Sequence, residues 1–480
     1  MPLLGETVSA SPRFEYLFHP RSIAVVGVST DFSRVGPGRM YVEALLGSGF
    51  KGKIYPVGRS GGQVFDLRVY PALKDIPGSV DYVISAIPAS ETPRLVKDCA
   101  AKGVKTVHMF TAGFGEIAAK NGKKLEDEVA SLARRSGIRL IGPNCMGIFC
   151  PDTGLSFELS LPRRSGSIGF VSQSGGNAIQ AVREAQTKNL YFSKIISYGN
   201  AADLDECDFL DYLTDDPGTK IITAYIEGFE DGERFKNVIR RAARAKPLVV
   251  YKGGTSAGGR RAASSHTGAI AGSEIVWESF LKQVGAVQVY SLDEVLDMAV
   301  LFNYLTPPKG KAVGIIGIGG GNSVLAADAC AREGLTAPLL PSAIRRRLEA
   351  IYSSEAGGSF RNPVDMYFAK FNLAHETVRA VADSPGIDLI IVHMTIGWSP
   401  KNDVDLAKKH VELLTGICGE VKKPVVVALR PFGPAKYTDA TADAEAALFE
   451  AGFPVFFSVA SAARAINRYV DYYQRRKRSR

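Results

Sequence analysis

The sequence predicts an α/β protein of three domains, each built on a doubly wound parallel sheet, with the last two domains sharing one fold. Three observations predict this. The chain has 480 residues, whereas one domain usually takes about 150. Short β-rich segments alternate with helical segments, a rhythm typical of parallel sheets covered by helices on both faces. Several motifs of the middle third also recur, in the same order, in the last third.

The first domain, predicted over residues 1–150, is expected to contain a parallel, doubly wound sheet. Helical segments such as Thr92–Lys102 and Gly122–Ser136 separate its predicted strands. The domain closes near Cys150, where Pro151-Asp-Thr-Gly154 favours a turn. The predicted strands are Ser22–Val26, Lys53–Val57, Tyr82–Ala86, Thr106–Phe110 and Arg139–Ile141.

The second and third domains, predicted over residues 151–305 and 311–474, are expected to be duplicates. The segment IGFVSQSGGN at 168–177 recurs as VGIIGIGGGN at 313–322, and the repeat continues through later strands. The middle domain then carries a Gly- and Ser-rich loop containing His266, whereas the corresponding loop of the third domain contains no histidine. We therefore expect the third domain to serve mainly as scaffold or interface.

Charge and composition exclude several classes of protein. The net charge is +9, but the last six residues, 475–480, carry five positive charges, which leaves +4. We interpret this basic tail as a solvated, frayed terminus and expect no nucleic-acid or membrane partner. No apolar run reaches about 18 residues, so we expect a soluble, cytoplasmic protein. The six cysteines form no CxxC pair, so we expect neither a metal site nor a disulfide framework.

The first candidate catalytic residue is His266, which lies in Ser264-Ser-His-Thr-Gly268 ahead of a predicted helix. A histidine among small polar residues is suited to carry a phosphoryl group, provided that a carboxylate fixes its tautomer. Glu227, at the end of a predicted strand and followed by glycine, is the candidate carboxylate. The alternatives are an exposed loop histidine and a surface glutamate without roles.

A glycine-rich turn, Ser172–Asn177, follows the predicted strand Ile168–Val171 and precedes the predicted helix Ala178–Thr187. Such a turn directs backbone N–H groups and a helix dipole at an anion. The candidate phosphate-binding residues are Ser174, Gly175 and Gly176. The alternative is an ordinary tight turn between a strand and a helix.

Three further motifs resemble known sites less well. In the turn Val25–Thr30, Ser29 replaces a glycine of the dinucleotide fingerprint, which argues against NAD. The segment Gly47–Ile54 nearly matches a Walker A loop, but Ile54 cannot ligate Mg²⁺ and a strand follows, so we reject it. Ser256 lies in a GxSxG sequence, which keeps a serine hydrolase open as an alternative, although Gly259-Arg-Arg is a poor helix start.

Together the motifs resemble the ADP-forming (NDP-forming) acyl-CoA synthetases, relatives of succinyl-CoA synthetase, over nearly the whole chain. The resemblance implies a Rossmann-like CoA-binding domain followed by two flavodoxin-like, succinyl-CoA synthetase-like domains. The matching segments are SIAVVGVS, KIYPV, AIPAS, FTAGFGE and IGPNCMGI in the first domain, FVSQSGGN, YIEGFED and ASSHTGAIAGS in the second, and GGGNSVLAADA and NPVD in the third.

The resemblance also implies roles for individual residues. His266 matches the phosphorylated histidine, Glu227 matches the acid that orients it, and Ser174-Gly-Gly176 matches the phosphate-binding helix start. Two departures, Ser33-Arg34 for Gly-Lys and Gly58-Arg59 for Asn-Pro, lie near the expected nucleotide end of CoA. The residues that match the CoA-binding motifs are Gly27, Ser29, Arg34, Gly36, Pro88, Ala89, Gly113, Asn144 and Cys145.

The family reaction joins a small carboxylate to CoA, with ATP converted to ADP and phosphate, through an acyl phosphate and phosphorylated His266. It also needs an ATP-grasp domain, for which the three predicted domains leave no room. We therefore expect an ATP-grasp β subunit that holds ATP or ADP with Mg²⁺, in a hetero-oligomer. The alternatives are a related acyl-CoA enzyme, such as a lyase, and a CoA-binding regulatory protein.

Overall fold

The computed structural model describes residues 14–478 apart from gaps. The chain forms two compact units, the first reaching Arg183 and including Tyr191–Tyr290, and the second comprising Glu184–Leu190 and the residues from Ser291 onward. The first unit contains two large sheets and the second contains one. The gaps are 34, 117–120, 257, 260, 262–273, 318, 353–359, 367–372, 397–410, 413, 417–419 and 432–435.

The first sheet has the strand order β2-β1-β5-β6-β7, and all of its neighbouring strands are parallel. A short antiparallel pair, β3 and β4, follows β2. The order reverses between β1 and β5, which is where doubly wound folds bind ligands. The elements are α1 (Glu15–Phe18), β1 (Ser22–Val26), α2 (Pro37–Gly47), β2 (Lys53–Val57), β3 (Gln63–Val64), β4 (Leu67–Arg68), β5 (Tyr82–Ser85), α3 (Thr92–Lys102), β6 (Thr106–Met109), α4 (Gly122–Arg135) and β7 (Arg139–Ile141).

The second sheet has the order β13-β12-β11-β9-β10-β8, in which β8 is antiparallel to β10 and the other pairs are parallel. Its order reverses between β9 and β11. The elements are β8 (Gly147–Phe149), β9 (Ile168–Ser172), α5 (Gly175–Thr187), β10 (Phe192–Ser197), α6 (Glu206–Asp215), β11 (Ile221–Ile226), α7 (Gly232–Ala245), β12 (Leu248–Lys252), α8 (Glu274–Val284) and β13 (Val287–Val289).

The third sheet has the order β15-β14-β16-β17-β18, all parallel. This is the order of the parallel part of the second sheet, as the predicted duplication requires. The elements are α9 (Leu292–Tyr304), β14 (Val313–Gly317), α10 (Gly320–Arg332), α11 (Ser342–Tyr352), β15 (Val364–Asp365), α12 (Ala374–Ala382), β16 (Leu389–Ile396), β17 (Val425–Pro431), α13 (Lys436–Glu450), β18 (Val455–Phe456) and α14 (Val459–Arg478).

The central strands form because their sequences are continuous runs of apolar and β-branched residues, which suits strands covered on both faces. Five of the six residues of β11, IITAYI, are buried, and so are seven of the eight in β16, LIIVHMTI. The sheets of the predicted fold class, three doubly wound α/β layers, are therefore confirmed. The domain boundaries at 150 and 305–311 stay predictions.

The C-terminal end differs from the expected frayed tail. Helix α14 continues through Arg475 to Arg478, and its last turn holds four basic residues. Cations in the last turn stabilise a helix through its dipole, which is a physical reason for helix here. Among the described residues, no helix is both long enough and apolar enough to span a membrane.

Candidate functional site

The candidate site lies at the carboxyl edge of the second sheet, where its strand order reverses. The glycine-rich turn Gln173–Gly176 follows β9, and Glu227 follows β11, the strand paired with β9. Because neighbouring parallel strands end at the same edge, the fold brings these two segments together. The backbone nitrogen of Gln173 donates to the carbonyl of Tyr225 at 3.0 Å, which joins them directly.

Ser174 caps the helix that starts in this turn. Its hydroxyl oxygen accepts a hydrogen bond from the backbone nitrogen of Asn177 at 3.3 Å. Helix α5 therefore begins at Gly175, and its first N–H groups point outward without partners in the helix. A Cβ added at Gly176 would lie 3.8 Å from the Ser174 hydroxyl and meet nothing closer. We call Ser174, Gly175 and Gly176 the phosphate cradle, since a helix start of this kind suits an anion.

Glu227 is held in place by three neighbours. Its side chain is 5% exposed, and its Oε1 accepts a hydrogen bond from the hydroxyl of Tyr225 at 3.0 Å. Its backbone nitrogen donates to Oε1 of Gln173 at 2.8 Å, and its carbonyl accepts from Nζ of Lys252 at 2.7 Å. Burial, with the nearby charge of Glu227, raises the pKa of Tyr225, so the phenol stays a proton donor.

Lys252 is the last residue of β12, the strand next to the one that Glu227 follows, and it is 4% exposed. Its ammonium donates to the carbonyls of Glu227 and Gly253 and lies 5.4 Å from the ring centre of Trp277. Burial lowers its pKa to about 8, while the charge of Glu227 opposes that shift. Gln173 and Lys252 were missed by the sequence analysis. The sequence did offer a signal for each of them. Gln173 lies inside the glycine-rich turn, and Lys252 lies at a strand end before a glycine loop.

His266 lies outside the described residues, as does the surrounding segment 262–273. The predicted contact between His266 and Glu227 therefore stays a prediction. The chain enters this part of the sequence from β12, whose last residue, Lys252, contacts Glu227.

A second group of predicted residues lies at the carboxyl edge of the first sheet. Gly27 follows β1 with φ +105, and a Cβ there would lie 2.4 Å from the carbonyl oxygen of Ala86, so only glycine fits. A Cβ at Gly38, in α2, would lie 2.5 Å from the Gly27 carbonyl, so that glycine lets the helix approach the turn. Gly36 is the N-cap of α2, and the Ser29 hydroxyl accepts from the nitrogen of Asp31 at 3.1 Å.

The neighbouring strand ends bring further predicted residues to this edge. Pro88 and Ala89 begin a short 3-10 turn, Ala89–Glu91, after β5. Gly113, after β6, has φ +106, and a Cβ there would lie 3.5 Å from that of Ala89. Arg34 lies outside the described residues.

Asn144 and Cys145 follow β7. Asn144 has φ +57, and its nitrogen donates to the Thr111 carbonyl at 2.9 Å. Cys145 is 3% exposed, and burial raises the pKa of its thiol. Its side chain is therefore a neutral packing group, and its carbonyl lies 3.0 Å from Nε2 of His108.

One departure from the family pattern has a steric reason. A Cβ at Gly58 would lie 1.9 Å from the carbonyl oxygen of Val28, in the turn that follows β1. An asparagine cannot occupy this position while that turn keeps its place. The next residue, Arg59, forms an exposed ion pair with Glu91.

Comparison with known proteins places the chain in a family. Residues 21–151 match a family model described as a CoA binding domain, and residues 165–302 match a succinyl-CoA ligase like flavodoxin domain. The α subunit of acetate–CoA ligase [ADP-forming] II from Pyrococcus furiosus is 37% identical over 378 residues, which cover 78% of this chain and 81% of that subunit.

The chain belongs to the ADP-forming acyl-CoA synthetase family. A longer family member, acetate–CoA ligase [ADP-forming] I from Archaeoglobus fulgidus, is 33% identical over 455 residues, which cover 94% of this chain and 63% of that protein. A solved family structure, the dinucleotide forming acetyl-coenzyme A synthetase 1 of Ca. Korarchaeum cryptofilum in complex with phosphate and ADP, matches with a TM-score of 0.82 and 30% identity. The match covers 97% of this chain and 98% of that one.

Proposed function

We propose that this chain is the CoA-binding and phosphohistidine subunit of an ADP-forming acyl-CoA ligase. Its reaction is carboxylate plus CoA plus ATP in equilibrium with acyl-CoA, ADP and phosphate. The observation that carries the proposal is the placement of the phosphate cradle and the buried carboxylate of Glu227 at one switch point. An anion-binding helix start beside a fixed acid is what a phosphorylated histidine requires.

Relatives support both the reaction and the subunit arrangement. The Pyrococcus furiosus relatives are named as α subunits of ADP-forming acetate–CoA ligases, which implies a partner subunit. A relative from Nitrosopumilus maritimus, 31% identical over 419 residues, is named as a 4-hydroxybutyrate–CoA ligase [ADP-forming]. Small aliphatic acids are therefore the substrate class to test first.

In the first chemical step, a ring nitrogen of His266 attacks the γ-phosphorus of ATP on the partner, the bond from that phosphorus to the bridging oxygen breaks, and ADP leaves. The carboxylate of Glu227 accepts a hydrogen bond from the other ring nitrogen, which fixes the tautomer and stabilises the cation that forms on phosphorylation. The Tyr225 hydroxyl and the backbone contacts to Gln173 and Lys252 hold Glu227 for that role.

In the second step, a carboxylate oxygen of the substrate attacks the phosphorus, the P–N bond to His266 breaks, and an acyl phosphate forms. The N–H groups at the start of α5 stabilise the charge on the transferred phosphate. The thiolate of CoA then attacks the acyl carbon, and inorganic phosphate leaves with the bonding electrons of the C–O bond.

The first sheet is suited to hold CoA. Gly27 and Gly38 keep the turn after β1 close to α2, so that backbone N–H groups at this switch point can approach a phosphate. Gly36, Pro88, Ala89 and Gly113 lie at the ends of elements along the same edge. We assign CoA to this edge and the phosphate transfers to the second sheet.

The partner is proposed to be an ATP-grasp β subunit. Such a subunit would bind ATP or ADP with Mg²⁺ and exchange phosphate with His266. The Archaeoglobus relative, of which this chain spans 63%, carries additional sequence within one polypeptide. This is consistent with a second component that other members encode separately.

The test is intact-mass analysis of the purified chain after incubation with acetyl-CoA and phosphate, which needs no partner. An acid-labile gain of about 80 Da is expected. It should be absent in His266→Ala and reduced in Glu227→Gln. The matched control is His19→Ala, because the His19 side chain is 46% exposed and pairs with Glu15 in α1, away from both sites. A gain of equal size in His266→Ala would refute the assignment.

A further inference from the structure

The third sheet has a cavity of about 190 Å³ at its carboxyl edge. His393 and Thr395 of β16, Arg430 of β17 and Asn322 of α10 line it, together with apolar side chains. Pockets for drug-sized ligands usually take about 300–1,000 Å³, so this cavity suits a smaller molecule. It lies at the switch point of the third sheet, the place that Glu227 occupies in the second.

Strand register allows the two switch points to be compared residue by residue. Leu248 and Val425 each follow the repeated proline that opens β12 and β17. Leu248 pairs with Ile222 in β11, and Val425 pairs with Ile390 in β16. Ile222 and Ile390 are therefore equivalent positions.

The residues that form the site at the end of β11 are replaced at the equivalent positions of β16. His393 takes the place of Tyr225, and Thr395 takes the place of Glu227. The acid that we assign to the phosphohistidine is thus replaced by a neutral hydroxyl in the duplicate.

The opposite change occurs on the next strand. Arg430, in β17, takes the place of Gly253, which follows β12. The side chain of Arg430 is exposed, and none of the described carboxylates forms an ion pair with it. A negative charge has therefore been lost and a positive charge gained, so the duplicate attracts an anion at its switch point.

His393 is a second, independent indication of a ligand. It is 9% exposed, lines the cavity, and its Nε2 has no hydrogen-bond partner among the described residues. A Cβ at Gly317 would lie 1.7 Å from that nitrogen, so glycine makes room for the ring. Burial, and then the charge of Arg430, lower the pKa of His393 to about 4, so the imidazole stays neutral. A buried polar group left without a partner is costly unless a ligand or water completes it.

The rest of the cavity favours an apolar substituent on that anion. Leu325 and Phe457 line it, and each side chain is 67% exposed. The N-terminus of α10 is less available to bind the anion, because the backbone nitrogen of Gly319, which precedes the helix, already donates to the carboxylate of Asp365 at 2.6 Å. The anion is therefore expected to contact Arg430 and Thr395.

We propose that this cavity binds a small carboxylate with a short apolar substituent. Its carboxylate pairs with Arg430, its second oxygen accepts from the hydroxyl of Thr395 and from Nε2–H of His393, and its substituent packs on Leu325 and Phe457. This site consists of other residues than the phosphate cradle, and it gives the third domain a binding function beyond that of a scaffold. It does not depend on the ligase reaction, since it rests on residues of the third sheet, of helix α10 and of the turn after β18.

Titration calorimetry of the full chain with butyrate, without CoA or nucleotide, tests the proposal. Arg430→Met is expected to remove one butyrate site, or to weaken it by about tenfold or more. Thr395→Glu, which restores the acid of the second sheet, is expected to do the same. Arg94→Met is the matched control, because the Arg94 side chain in α3 is 90% exposed and remote from the third sheet along the chain.

Either of two kinds of result would overturn the proposal. One is a wild-type chain that binds no butyrate, or an Arg430→Met titration that equals that of the wild type. The other is binding of inorganic phosphate that depends on Arg430 and is as tight as that of butyrate, since phosphate cannot use the apolar side of the cavity. The thermal melt of Arg430→Met should match that of the wild type, because Arg430 is exposed.

Discussion

Oε1 of Gln173 accepts hydrogen bonds from the backbone nitrogens of Glu227, at 2.8 Å, and Gly228, at 3.3 Å. Gln173 immediately precedes Ser174 of the phosphate cradle and is 6% exposed. One buried side chain therefore ties the start of helix α5 to the acid on the neighbouring strand. Together with the hydrogen bond from the nitrogen of Gln173 to the carbonyl of Tyr225, this link fixes the start of helix α5 relative to Glu227.

Replacing Gln173 with leucine should separate the two segments. Two buried N–H groups lose their acceptor, so the free energy of unfolding is expected to fall by about 1–3 kcal/mol. Phosphorylation of His266 by acetyl-CoA and phosphate should also slow, because Glu227 is no longer held. Urea unfolding measures the first effect and quenched intact-mass analysis measures the second.

The control for this variant is Gln63→Leu, which changes an exposed glutamine of β3. CoA affinity should survive in Gln173→Leu, since the first sheet does not contain the link. A Gln173→Leu protein that is phosphorylated at the wild-type rate would show that Glu227 needs no such support.

Glu206, in the first turn of α6, should make stability depend on pH. It is 3% exposed, and burial, followed by the charge of Asp205, raises its pKa to about 8. A carboxyl with a raised folded-state pKa binds more protons in the folded protein than in the unfolded chain. Its contribution to stability is therefore complete below about pH 4.5 and is lost as the pH rises through about 8.

Glu206→Gln keeps the neutral shape at every pH. The free energy of unfolding of this variant minus that of the wild type is therefore expected to be larger at about pH 9 than at about pH 5. Urea unfolding at the two pH values measures this difference. Glu128→Gln, an exposed position in α4, should show no such difference. A constant offset between Glu206→Gln and the wild type across this range would contradict the prediction.

The sequence could predict the strands because each is a short apolar run bounded by polar or glycine residues. The strands Ser22–Val26, Lys53–Val57 and Arg139–Ile141 have the bounds expected. Helix α5 starts three residues before the predicted Ala178, at Gly175. Glycine has a low helix propensity, which favours a later start. The cap from the Ser174 hydroxyl and the exposure of the N-terminus of α5 outweigh that preference here.

Within the site, the sequence could predict residues that belong to glycine-rich turns but not those whose role depends on a neighbouring strand. Ser174 and Glu227 stand beside glycines at strand ends. Lys252 contacts Glu227 only because β11 and β12 pair in one register, with Ile226 opposite Lys252. The cavity at His393 was missed for a different reason, because the third domain was expected to serve mainly as scaffold or interface once its loop lacked a histidine.

Lys252 should also make stability depend on pH, in the opposite direction from Glu206. Burial lowers its pKa from 10.5 to about 8. Between these values the unfolded chain binds more protons than the folded protein, so the stability contributed by Lys252 rises with pH in that window. The free energy of unfolding of the wild type minus that of Lys252→Met is therefore expected to increase between about pH 7.5 and about pH 10.

Urea unfolding at several pH values measures this difference. Lys220→Met, an exposed lysine just before β11, is the matched control and should give a flat difference. A difference for Lys252→Met that falls with increasing pH would mean that the ammonium is stabilised, not destabilised, in the folded protein.

Gly58→Ala tests whether the departure from the family pattern at Gly58-Arg59 has a steric origin. The added Cβ would lie 1.9 Å from the carbonyl oxygen of Val28, and backbone cannot yield as a flexible side chain can. The turn after β1 must then move, which should cost about 1–3 kcal/mol of stability. Because Gly27 and Ser29 belong to that turn, CoA affinity is expected to fall as well.

Urea unfolding and titration calorimetry with CoA measure the two effects of Gly58→Ala. The matched control is Gly386→Ala, because a Cβ at Gly386 would meet nothing within 4 Å. Stability lost with CoA affinity intact would mean that the turn after β1 can move without disturbing the CoA site. Wild-type stability together with wild-type affinity would mean that this turn accommodates a side chain at position 58, and the steric explanation for the missing asparagine would then be wrong.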